Sequence, residues 1–108
     1  MARESLGEFE HQVLLAILRL GSESYSVPIV VELEERTAKP AAPAAVYIAL
    51  RRLEKRGLLT SRLTEAAPEG SRRRRYFALT PEAVDRLAAS RRVMERLWEG
   101  LDLVLSRR

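Results

Sequence analysis

The chain has 108 residues, 46% hydrophobic and 31% charged, a balance suited to one globular domain and not to a disordered segment. It contains no cysteine, which excludes disulfides, thiolate metal sites and a cysteine nucleophile together. The net charge is +4, and all but two of the 19 basic residues (Lys39 and Lys55) are arginine, the side chain that binds phosphate bidentately.

The first helix is expected over residues 6–20, where Leu6, Phe9, Val13, Ile17 and Leu20 recur at helical spacing. Leu14 and Leu18 widen that face, which suggests contact both with the chain's own core and with a partner chain. Gly21 is placed to stop the helix in a left-handed conformation. A second helix is expected over 26–37, with Ser26 as its cap and Pro28 in the first turn, where proline is tolerated. Ile29, Val30 and Leu33 would face inward, and residues 37–42 form a breaker.

The third helix is expected over 43–56. Pro43 suits its first position and Gly57 its end. Val46, Ala49, Leu50 and Leu53 make an inward stripe, whereas Tyr47, Ile48, Arg51, Arg52 and Lys55 fall on the other side. Residues 58–64 and 73–79 read as two strands of a hairpin around a long, proline- and glycine-containing tip. Thr80-Pro81-Glu82 is a strong helix start. That last helix is expected to run to about residue 106 and to be roughly 40 Å long. Val84, Leu87, Met94, Trp98, Leu101 and Leu105 form its seam, which Leu97 and Val104 broaden and Arg91 interrupts. A domain this small cannot bury such a stripe on itself, so a second subunit is expected to cover it.

The order helix, helix, helix, strand, strand, long helix predicts a mostly α (α+β) fold. Residues 1–79 would form a winged helix-turn-helix, the hairpin being the wing, and residues 80–108 an appended dimerisation helix. A helix with an arginine and lysine face beside a basic hairpin suits a rod laid in a DNA major groove with a strand pair on the backbone.

The chain also resembles the PadR-like transcriptional regulators, in the short form with a single C-terminal helix. The matching pieces are Leu6-Gly7-Glu8-Phe9-Glu10 with Val13–Leu18, Tyr25-Ser26-Val27-Pro28-Ile29, Ala45–Leu50 with Leu53–Leu58, and Arg73–Pro81. In order, they span nearly the whole chain. The resemblance implies a bacterial or archaeal repressor that binds double-stranded DNA as a homodimer, with Tyr47 at the DNA-facing surface and the basic residues Arg72 to Arg75 in the wing. Two positions depart from the pattern. Ser26 stands where the family commonly has glycine. Ala41-Ala42-Pro43 precedes the third helix where Ser or Thr is usual, a missing cap worth about 1 kcal/mol.

The candidate DNA-binding residues are therefore Tyr47, Ile48, Arg51, Arg52, Lys55, Arg72, Arg73 and Arg74. The bland reading of the arginines is a solvated face, with Glu54 as a charge partner on the helix and the wing a basic edge that resists aggregation. Leu6, Phe9, Val84, Leu87, Met94, Leu97, Trp98, Leu101 and Leu105 are the candidate dimer interface. Met94 and Trp98 could also line a cavity for a small apolar or aromatic effector.

An enzyme is not expected. His11 stands alone, and the sequence has no phosphate-binding glycine loop and no justifiable Ser-His-Asp set. No cofactor or metal is expected. No run approaches the roughly 20 apolar residues of a membrane span, and Met1-Ala2-Arg3-Glu4-Ser5 lacks a signal-peptide core, which predicts a cytoplasmic protein that avoids membranes. The alternative to a regulator is a winged-helix adaptor that has lost specific DNA binding.

Overall fold

The computed structural model describes residues 5–65 and 73–101. The chain folds in the order α1 (Glu8–Leu20), a 3-10 turn (Gly21–Glu23), α2 (Ser26–Thr37), α3 (Pro43–Lys55), β1 (Leu59–Leu63), β2 (Arg75–Leu79) and α4 (Pro81–Trp98). The expected helix–helix–helix–hairpin–helix order is thus present. The hairpin tip, Arg72 and Leu105 lie outside the described residues.

One core joins the four α-helices and both strands. Val13, Leu14 and Ile17 of α1 meet Ile29 and Leu33 of α2, and Val46, Leu50 and Leu53 of α3. Leu58, Leu59 and Phe77 bring in the hairpin, while Ala83 and Leu87 bring in the first turns of α4. Burying a leucine-sized side chain contributes about 1.5–3 kcal/mol, so these residues dominate the fold's stability.

Local chemistry sets the boundaries. Helix α1 begins at Glu8, two residues later than expected, because Gly7 is its N-cap. The Glu10 carboxylate reaches back to accept the Gly7 N–H at 3.3 Å. At the other end Gly21 has φ +60° and ψ −123°, a combination outside the left-handed helical region but open to glycine. Helix α2 is capped by Tyr25, not by Ser26, and no side chain closes it. The residue that fixes this entry is Ser24. It is fully buried, its hydroxyl donates to the Gly21 carbonyl at 2.8 Å, and its own carbonyl accepts the Phe77 N–H at 2.8 Å. Strand pairing, rather than a local cap, therefore decides where α2 starts.

Helix α3 starts at Pro43 with no side-chain cap from Ala42. It ends in a paired motif: the Gly57 N–H bonds the Glu54 carbonyl, and the Leu58 N–H bonds the Leu53 carbonyl, both at 3.0 Å. Gly57 takes φ +79°, which this motif requires and side chains resist. The strands are antiparallel, with Leu59 opposite Leu79, Ser61 opposite Phe77 and Arg62 opposite Tyr76. Leu59, Ser61, Leu63, Arg75, Phe77 and Leu79 share one face of the hairpin; Thr60, Arg62, Arg74 and Tyr76 share the other.

Helix α4 corrects the expectation of a rod reaching residue 106. The Thr80 hydroxyl caps it as expected, accepting the Ala83 N–H at 3.3 Å. It ends at Trp98, and Gly100 turns the chain with φ +81°. Its 18 residues span about 27 Å, not 40 Å.

Candidate nucleic-acid interface

Two turns of α3 are inserted in the core through Val46, Ala49, Leu50 and Leu53. That places Tyr47, Ile48, Arg51, Arg52 and Lys55 on the solvent side, all exposed. Ile48 keeps 59% of its surface, an unusual state for a residue of its type unless something else covers it. The five side chains predicted for this face are therefore brought together on one surface.

They are not equivalent. The Arg51 guanidinium is 3.1 Å from the Glu54 carboxylate. Glu54 also accepts a hydrogen bond from the Ser61 hydroxyl of β1, and the Arg75 guanidinium of β2 donates to Ser61 at 2.9 Å. Arg51, Glu54, Ser61 and Arg75 so form a chain that ties α3 to both strands of the hairpin. Arg52 and Lys55 have no acidic partner among the described residues and carry uncompensated charge. Arg56, one residue further, turns inward instead: it is 3.0 Å from Glu10 of α1, with both side chains only 12–15% exposed.

The hairpin carries the second group. Arg73 and Arg74 are exposed at the mouth of the wing, and Thr64 closes the pair there by accepting the Arg74 N–H at 3.0 Å. Arg74 does not project freely. Its guanidinium lies over the Tyr25 ring, 4.4 Å from the centroid. Tyr25 packs against Tyr76 with centroids 5.2 Å apart and planes at 58°. The Arg62 guanidinium in turn lies 5.0 Å from the Tyr76 centroid. A hydrogen bond with the Tyr76 side chain, and then the pull of Tyr25, raise Arg74 above the ordinary arginine value.

Sequence reasoning missed this Arg62–Tyr76–Tyr25–Arg74 ladder. Tyr25 and Tyr76 were legible as single aromatics, but nothing local pairs them. Their meeting follows from the Ser24–Phe77 hydrogen bond, which sets the neighbouring residues side by side on the outer face.

The residues predicted for a dimer interface separate into three groups. Val84, Met94, Leu97, Trp98 and Leu101 are exposed on or just beyond α4, with Leu97 at 64%. Leu87 is not among them: it is 6% exposed and belongs to the chain's own core, because the first turns of α4 pack inward. Leu6 also packs partly on that core, and Phe9 lines a groove with Ala45, Ile48 and Arg52, beside α3. Leu15 and Leu18 of α1 and Val93 of α4, absent from the predicted interface, are exposed as well. Leu18 and Val84 line one groove of about 540 Å³ at the base of the hairpin. Met94 and Trp98, the candidate effector residues, lie in the exposed part of α4. Among the described residues no helix is long and apolar enough to cross a membrane, and no cluster of His, Cys, Asp or Glu could hold a metal ion.

Residues 14–89 match the transcriptional regulator PadR-like family. The fold is similar to that of a PadR-like transcription factor from Bacteroides fragilis, with a TM-score of 0.70 and 21% identity over 89% of this chain and 88% of that one. It is similar also to a PadR family regulator from Eggerthella lenta, with a TM-score of 0.67 and 28% identity over 86% and 80% of the two chains. A PadR family regulator from Clostridium difficile gives a TM-score of 0.64 and 24% identity over 92% and 96%. No curated protein matches the chain.

Proposed function

Because the chain belongs to the PadR-like family of DNA-binding transcriptional regulators, we propose that it is a homodimeric repressor whose paired α3 helices enter successive major-groove faces of one operator. In this reading residues 1–79 contact DNA and residues 80–108 hold the two subunits together. Arg52 and Lys55 carry the proposal: without an acidic partner among the described residues, they stand beside Tyr47 and Ile48 on the side of α3 that turns away from the core. Arg73 and Arg74 of the wing would grip the flanking backbone, so affinity comes largely from phosphate contacts and falls with salt.

The second half of α4 supports the dimer. Met94, Leu97, Trp98 and Leu101, with Leu15 and Leu18 of α1, are large apolar side chains left 42–64% exposed, which a partner surface would cover. A twofold axis through that surface would set the two α3 helices about 34 Å apart. Met94 and Trp98 would then sit at the seam. A small apolar or aromatic effector lodged beside them would change the spacing of the two α3 helices and release DNA.

A gel shift with the chain's own upstream DNA and with random DNA, at two salt concentrations, tests the reading. Preference for the upstream fragment, weakened at the higher salt, is the expected result. No shift at low salt would favour an adaptor that contacts protein instead. Sedimentation equilibrium decides the dimer, a strictly monomeric species ruling it out. Quenching of the emission of Trp98, the chain's single tryptophan, by candidate apolar ligands decides the effector site, and saturating ligand without quenching counts against it.

A further inference from the structure

Among the described residues, two ways of holding an arginine stand out. Arg19 and Arg36 meet Glu32, Arg51 meets Glu54, Arg56 meets Glu10 and Arg91 meets Glu95. A carboxylate fixes an arginine by neutralising it and by occupying its N–H donors. Arg62 and Arg74 are fixed by aromatic rings, and neither has a carboxylate within ion-pair distance among the described residues. A ring attracts the flat face of the guanidinium and removes none of its charge. The N–H groups lie in the guanidinium plane, so an arginine held over a ring keeps donors for phosphate oxygens, although Arg74 shares some of its own with the Tyr76 side chain.

The location suits that use. Arg62 on β1 and Arg74, just before β2, both lie on the outer face of the wing, opposite the face that packs on the core. Both side chains are exposed, and Arg73 adds a further exposed charge at the same end of the hairpin. Tyr25 belongs to the start of α2, so the ladder braces the wing against the helical body. Ordering a free arginine costs about 2 kcal/mol of side-chain entropy, and the stack meets part of that cost before any partner arrives.

We infer that Arg62 and Arg74 form a phosphate clamp on the outer face of the wing, with Tyr25 and Tyr76 as its positioning residues. The inference rests on the DNA-binding reading above and adds Arg62, which the sequence pattern did not single out. Tyr25 and Tyr76 act through the arginines they hold. A clamp of this kind reads the backbone and not the bases, so its loss weakens binding to all sequences alike.

Fluorescence anisotropy of the full chain with labelled duplexes, one from its own upstream region and one random, across a salt series, tests the clamp. Arg62→Ala is expected to weaken binding several-fold on both duplexes and to lower the slope of log affinity against log salt by about one. Tyr76→Leu and Tyr25→Leu are expected to lower the slope although they remove no charge. Tyr25→Phe keeps the ring face under Arg74 and should keep the slope. An unchanged slope in Arg62→Ala overturns the clamp, and weaker binding at an unchanged slope in the leucine variants overturns the positioning role. Melting temperatures identify any leucine variant that fails to fold; Arg62→Ala, at an exposed side chain, decides the clamp in that event. Lys55→Ala separates the two readings. If it weakens binding and Arg62→Ala does not, the clamp alone is wrong; if the unaltered chain binds neither duplex, the DNA-binding reading falls and the clamp with it.

Discussion

Helix α3 and the second half of α4 carry the same kind of apolar spacing and meet opposite fates. In α3 the stripe Val46, Ala49, Leu50 and Leu53 is buried by the chain itself. In α4 only Ala83 and Leu87 reach the core, and every residue from Arg91 to Leu101 is exposed. Steps of three and four announce a face that something covers. They do not say whether the cover is intramolecular. What separates the two helices is position in the chain: α3 lies between α1 and the hairpin, while α4 runs past the edge of the body after its second turn.

The sharpest way to break that contrast is to cut into both faces. Leu50→Ala should cost about 2–5 kcal/mol in chemical denaturation. That loss should be the same at every protein concentration. Leu97→Glu combined with Trp98→Glu should leave the body folded but raise the dimer dissociation constant at least 100-fold, about 2.7 kcal/mol, by sedimentation equilibrium. If the glutamates unfold the body instead, the outer half of α4 belongs to the core after all. Glu10→Ala removes the carboxylate that faces the largely buried Arg56 and should cost about 1–3 kcal/mol in a urea titration, with α1 and the end of α3 loosened together. Lys55→Ala touches neither face. It should leave stability within about 0.5 kcal/mol while lowering the salt slope of DNA binding by about one. Smallest of all, Ala42→Ser supplies the cap that α3 lacks and should raise stability by about 0.5–1 kcal/mol, read as a shift in melting temperature.

Local signals were legible where local chemistry decides. The inward stripe of α3, its glycine stop at Gly57, and the Thr80-Pro81 start of α4 all follow from residues within a few positions of one another. The errors have nonlocal or competing causes. Ser26 reads as a cap only if Ser24 and its pairing with Phe77 are invisible. Apolar spacing carries the seam of α4 on to Leu105, but Gly100 turns the chain before it. Leu87 fits that seam by spacing, yet α4 lies close enough to the body at this point to bury it. On the candidate DNA face, exposure of Tyr47, Ile48, Arg52 and Lys55 followed directly from helix periodicity. That Arg51 would share Glu54 with Ser61, or that two tyrosines 51 positions apart would hold two arginines, required the fold.

The turn at Gly57 and Leu58 has a mechanical consequence. The Thr80 hydroxyl donates to the Gly57 carbonyl at 2.9 Å, and the Thr80 N–H bonds the Leu58 carbonyl at 3.1 Å. The last turn of α3 and the first of α4 are thus pinned to a common pivot. A tilt of α4 by about 5° sweeps its far end, roughly 27 Å away, through some 2 Å. Strain at Trp98 thus has a short hydrogen-bonded route, through Thr80, to the chain that leaves the end of α3.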